Sequence, residues 1–136
     1  MVNRKTAPRG IRNNNPLNIR IGNVWLGEVQ CPTDPDFEQF ISMAYGIRAA
    51  FVLLRRYIKH YHRTTIPAVI VAWAPASENN VTAYCNTIYK LTGFSADTQL
   101  IFEDETMMVK LADAMIVHEC GEHVQIDVIK RAYKMA

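Results

Sequence analysis

Only three cysteines, Cys31, Cys85 and Cys120, occur in 136 residues. An odd number cannot pair entirely within one chain, and their wide spacing excludes a metal knuckle, so the fold is expected to stand without disulfides. Long apolar runs are also missing. AFVLL and IPAVIVAWA fall far short of the ~20 residues that cross a bilayer, and no membrane insertion is expected. The opening MVNRKTAPRG is basic with no apolar stretch behind it, so it lacks a secretory signal, and synthesis in the cytoplasm is expected. There is no glycine-rich phosphate loop and no Gly-x-Ser-x-Gly elbow. No cofactor is expected.

What is there suits one globular domain. Hydrophobic residues make up 49% and charged residues 21%, an ordinary balance for a packed chain. The charges are unevenly placed. Residues 1–77 hold ten Lys/Arg against four acids, and residues 78–136 hold five against nine. A basic first half favours a polyanion such as an anionic glycan or nucleic acid.

Residues 1–10 are polar and unpatterned and read as a basic arm. In residues 11–42, rich in Asn, Gly and Pro, Leu17, Ile19 and Ile21 alternate with polar residues as in a half-buried strand. Gly22-Asn23 followed by Val24, Trp25 and Leu26 predicts a tight hairpin. Asp34-Pro35 breaks the chain, and Phe37, Phe40 and Ile41 are expected to return it to the core. This is a small β-rich lobe.

From residue 43 to 136 the period becomes helical. Ile47, Phe51, Leu54, Ile58 and Tyr61 make one apolar stripe of an amphipathic helix over about 45–62. Thr64 or Thr65 caps a short apolar helix with Pro67 in its first turn, ended by Pro75 and expected to be the central buried element. Ser77 is the expected cap of a third helix, closed by Gly93. A fourth spans about 105–120 and stops at Gly121, and a fifth spans about 124–134. The expected class is α+β, mainly helical.

HECGEH at residues 118–123 imitates a zinc-protease motif but fails it. His123 is five positions after His118, with Gly121 between them, so the imidazoles cannot share a helix face. No metal is expected. Glu119 is the stronger candidate. It continues the stripe of Met115 and Ile116 at a helix C-terminus, where desolvation and the helix dipole both raise a carboxyl pKa. That suits a general acid for glycosidic cleavage. Glu78, placed in the first turn of the third helix, is the rival carboxylate, and Asn79 and Asn80 beside it are candidate substrate contacts.

The amides of Asn13, Asn14, Asn15 and Asn18, with Arg20, offer donors and acceptors to a sugar. Trp25, Tyr45 and Tyr84 could serve as apolar platforms, whereas Trp73, inside an apolar helix, is assigned to the core. The Arg-rich helix with Tyr57 and Tyr61 offers a nucleic-acid contact, but no recognition module accompanies it, and nucleic acid is not the expected partner.

Several strings taken together carry a resemblance: RGIRNNNPLNIR, WLGE, FEQFISMAYGIRAAFVLLRRY, TIPAVIVAWAPASENNVTAY and AMIVHECG. They resemble a group of small phage and prophage virion proteins related to the lysozyme-like peptidoglycan hydrolases, which include muramidases, lytic transglycosylases and glucosaminidases. The resemblance covers residues 9–121. It implies a lysozyme-like fold in which the catalytic Glu ends a helix, commonly as Glu-Ser-Gly, beside a lobe lining the cleft. Glu119-Cys120-Gly121 is similar to that terminus, with Cys120 in place of Ser. Because the lobe precedes this helix in sequence, the order implies a circular permutation, physically easy where termini are exposed and close.

The function so implied is cleavage of peptidoglycan glycan strands with Glu119 as acid, as a muramidase or a lytic transglycosylase. A hydrolase needs a second acid, for which Glu28, Asp34 or Asp36 is available. The alternative is a non-catalytic phage virion or glycan-binding protein of the same fold. Other phage proteins or secretion machinery are further expected partners, and the cell wall or a phage particle the expected place of action.

Overall fold

Asparagine, glycine and proline recur through residues 8–35, and they build a lobe from turns where longer strands have no room. A computed structural model describes residues 7–74 and 80–136 of the chain. One helical turn, α1 (Arg9–Arg12), opens it. Asn14 and Asn18 then adopt left-handed backbone, both at φ 53°, a conformation that Asn tolerates better than most residues.

The expected hairpin about Gly22-Asn23 does not form. Residues 36–41 instead run between two neighbours, each held by one antiparallel bridge, Arg20 to Phe37 on one side and Glu28 to Phe40 on the other. Ile21 N donates to Asp36 O and Glu38 N to Ile19 O, while Val29 N donates to Gln39 O and Ile41 N to Gly27 O. The alternation of Leu17, Ile19 and Ile21 does not make the expected strand. Leu17 lies in a turn, Asn18 is left-handed, Ile21 is half exposed, and in this stretch Arg20 alone is bridged. Alternation could not name the partner, because register across a long loop is set by tertiary packing. Among the described residues the lobe has these bridges and no longer strand. Phe40 reaches the core, Ile41 does not, and Phe37 lies under the guanidinium groups of Arg9 and Arg20.

Ser42 begins the helical part by accepting from Tyr45 N, at the N-cap of α2 (Met43–Arg55). Ile47, Ala50, Phe51 and Leu54 form its buried stripe. The helix then widens into a π turn over Arg56–His60. Thr65 caps α3 (Ile66–Trp73), and Asn80 caps α4 (Val81–Thr92), which Gly93 closes at φ 80°. The cap described for α4 is Asn80, with the first turn starting at Val81. Ser77, Glu78 and Asn79 lie outside the described residues.

Asp104 caps α5 (Glu105–Cys120), ended by left-handed Gly121, and α6 (Ile126–Met135) completes the chain. The central helix is α5, not α3. Met108, Leu111, Ala112, Met115 and Ile116 have no exposed surface, and α5 packs on α4, α6 and α1. The α3 helix is apolar all round but short, and leaves Val71 48% exposed. Apolarity on every face marks a helix that can be buried, but length decides which one spans the core. The described residues are thus mainly helical, and none of their helices is long and apolar enough to cross a membrane.

Candidate active site

Glu119 sits one residue before the end of α5, where the last helical turn runs into the lobe. Two close contacts fix that junction. Cys120 Sγ donates to Pro16 O over 3.1 Å, and a Cβ on Gly10 would come within 3.2 Å of that sulfur and 2.8 Å of Asn15 O. A side chain at position 10 would therefore push α1 off α5. Burial, with the charges of Glu119 and Glu122, pushes the Cys120 thiol up to about 12. It is a neutral strut and not a nucleophile.

The carboxyl of Glu119 gathers donors from three parts of the fold. Asn18 Nδ2 donates to Oε1 at 3.2 Å from the lobe. Tyr84 OH from α4 donates to Oε2 at 3.1 Å, and Trp73 Nε1 from the end of α3 at 3.4 Å. Burial raises its pKa to about 7, against the lowering effect of the bonds from Asn18, Tyr84 and Trp73. A carboxyl so poised is protonated for a substantial fraction of the time near neutrality. It can give a proton to an ether oxygen and take one back.

Tyr84 is 1% exposed, so it is not the sugar platform expected of it. It belongs to the support of the acid. His118 stacks on its ring at 4.1 Å, and His118 Nδ1 meets Thr87 Oγ1 at 2.9 Å. Burial lowers the pKa of His118 and so disfavours its positively charged form. Its partner in HECGEH, His123, pairs instead with Asp113 at 2.9 Å. Trp73, assigned to the core from its helix, is only part-buried. Its bond to Glu119 was beyond periodicity, since the two are brought together by the packing of α3 on α4 and of α4 on α5.

The lobe asparagines divide sharply. Asn15 is completely buried, and its amide donates to Ile19 O at 2.9 Å and Glu38 O at 3.0 Å while accepting from Ile19 N at 2.9 Å. Asn13 donates to Asp34 Oδ2 and accepts from Gln39 Nε2, and Asn14 donates to Phe40 O. These amides replace missing strand pairing and are committed to the scaffold, so Asn13, Asn14 and Asn15 are corrected from sugar contacts to lobe supports. Asn80 is likewise a helix cap, accepting from Ala83 N at 3.0 Å. Trp25 is buried at 8% exposure and offers no platform. Arg20 packs on Phe37. Of the four candidate lobe amides, Asn18 alone reaches the acid.

Glu28 is not among the hydrogen-bond partners of Glu119. It lies beside buried Glu38, whose pKa is raised to about 7 by burial and by this neighbouring carboxyl. Asp34 is held by Arg9, with Nε to Oδ2 at 2.7 Å and Nη2 to Oδ1 at 2.6 Å, well below the ordinary carboxylate range. Arg9 also reaches Asp36 at 3.2 Å.

No protein-family model matches the chain. Among curated proteins it is similar to protein P5 of Pseudoalteromonas phage PM2, with 38% identity over 133 residues, 94% of this chain and 81% of that protein.

Proposed function

We propose that this chain, which belongs to the family of protein P5 of Pseudoalteromonas phage PM2, cleaves the glycan strands of peptidoglycan with Glu119 as general acid. The observation that carries this reading is the carboxyl of Glu119, raised to about 7 by burial and held between the lobe and the helices by Asn18, Tyr84 and Trp73. Oε2 takes two of the donors and Oε1 one, which makes Oε1, with fewer donors, the oxygen to carry the proton toward a glycosidic bond. The supporting donors are fixed before substrate arrives, so little reorganisation is needed at the moment of transfer.

The placement of the acid also supports a lysozyme-like fold read in permuted order, with the acid-bearing helix late in sequence and the lobe it meets early. Among the described residues, the hydrogen-bond partners of Glu119 are an amide, an indole and a phenol. Glu28 lies beside Glu38. This arrangement favours single-acid chemistry of the lytic-transglycosylase type. Glu119 protonates the leaving oxygen, and as the C1–O bond breaks the sugar's own C6 hydroxyl closes on C1. The resulting carboxylate takes the hydroxyl proton, so the enzyme returns to its starting state. A hydrolase would have to activate water from a second carboxylate.

Digestion of purified murein with the wild-type chain and the Glu119→Gln variant, with products identified by mass, tests this. Anhydro-ended products that vanish in the variant are expected. Reducing-end products would replace the transglycosylase with a muramidase. Murein left intact by a folded wild-type chain would reject the enzyme and leave a non-catalytic phage component. The wall, or a phage particle that meets it, is the proposed place of action.

A further inference from the structure

Trp73 has a second set of neighbours that the acid does not use. Its ring meets Tyr57 edge-on with centroids 6.0 Å apart, and Tyr57 lies 6.5 Å from Tyr61. His60 stands edge-on to Tyr61 at 4.7 Å and braces it. A row of aromatic rings thus leads away from the indole that bonds Glu119. Trp73 and Tyr57 are part-buried, and Tyr61 is 57% exposed.

The backbone beneath this row is irregular. Tyr61 N donates to Arg56 O and Arg63 N to Tyr57 O, and His62 is left-handed at φ 56°. Such π turns weaken the helical ladder and recur at functional sites, where they re-aim side chains. The chain has no Asp or Glu between Glu38 and Glu78, whereas Arg56, Lys59 and Arg63 fall around the two tyrosines. Lys59 is paired with Glu103 and Arg63 bonds Ala68 O, so exposed Arg56 sets the local sign.

We propose that Trp73, Tyr57 and Tyr61 form a track of stacking platforms for an amino-sugar glycan strand, holding sugars beyond the bond that lies at Glu119. This deepens the peptidoglycan reading and rests on it. A pyranose ring presents a face of C–H groups that suits the negative face of an aromatic ring, and its hydroxyls suit a phenol at the rim. The positive border suits the carboxylates that peptidoglycan carries on its lactyl and peptide groups. Aromatic rows with basic borders also hold single-stranded nucleic acid. Continuity favours the glycan, since the inner platform is also a hydrogen-bond donor to the candidate acid.

The test is binding, separate from turnover: co-sedimentation with insoluble murein, and titration with tetra-N-acetylchitotetraose followed by tryptophan fluorescence. Tyr61→Ala is expected to weaken both about tenfold, the loss of one stacked ring, and Tyr61→Phe to restore most of it. Tyr57→Ala should act alike, and exposed Tyr61 keeps the test sound if that variant fails to fold. Wild-type affinity in a folded Tyr61→Ala, or no tetrasaccharide binding by the wild type, overturns the track even if murein is cleaved. Lost binding in the tyrosine variants with undiminished cleavage by Glu119→Gln overturns the acid instead. An oligothymidylate that displaces the tetrasaccharide and binds more tightly would reassign the row to nucleic acid.

Discussion

Asn18 and Glu119 stand 101 positions apart in the chain and are joined by one hydrogen bond of 3.2 Å. The lobe reaches the acid through this bond, and among the hydrogen bonds it is the largest influence keeping the Glu119 pKa down. Asn18→Gly removes the donor and also relieves its left-handed backbone, so the fold is expected to change by less than ~1 kcal/mol. The pKa of Glu119 should rise further. The alkaline limb of a pH–activity profile would then move upward, and an unmoved limb would show that the amide does not face the carboxyl in solution.

Removing the charge of Glu119 should stabilise the fold in a pH-dependent way. A carboxyl raised to about 7 binds its proton more tightly when folded. Stability is therefore greatest below its unfolded pKa and is lost as the pH rises through 7. Glu119→Gln escapes that loss but sets an amide N–H against donors, so a net gain of ~1 kcal/mol at pH 8 is expected, with none at pH 4. Glu38, raised in the same direction, is untouched by the change and serves as background. Melting temperatures of both proteins at the two pH values check the sign.

Asn15→Ala is the sharpest test of the lobe as a scaffold. It removes three buried bonds and strands Ile19 N and Glu38 O, while Ile19 O keeps the bond from Glu38 N. At ~1–3 kcal/mol for each stranded group, a loss of at least ~2 kcal/mol is expected. Hydrogen exchange should show the lobe opening before α5. Uniform protection across the chain would contradict that order.

Gly46→Ala should separate the lobe from α2. A Cβ at Gly46 would lie 1.7 Å from Asn14 O, a clash with backbone that no rotamer change relieves. The lobe must shift, and the Asn18–Glu119 bond is expected to lengthen with it. Loss of cleavage with preserved helical circular dichroism is the predicted outcome. Full activity would mean that the lobe docks less closely than the contact implies.

Much of the helical framework was written in the sequence. The stripe of Ile47, Phe51 and Leu54, a cap at Thr64 or Thr65, the closing Gly93 and the stop at Gly121 follow from local rules. Caps and periodicity act within a few residues, so a single chain displays them. Glu119 was legible for the same reason, as a carboxylate continuing an apolar stripe at a helix end. The pairing of residues 36–41 with two neighbours was decided only by the tertiary structure. So were the choice of α5 as central helix, the recruitment of Asn13, Asn14 and Asn15 into the scaffold, and the meeting of Trp73, Tyr84 and Asn18 at one carboxyl. These depend on segments far apart in the chain sharing a small volume. A side chain's spacing tells which face it occupies, but only packing decides what that face meets.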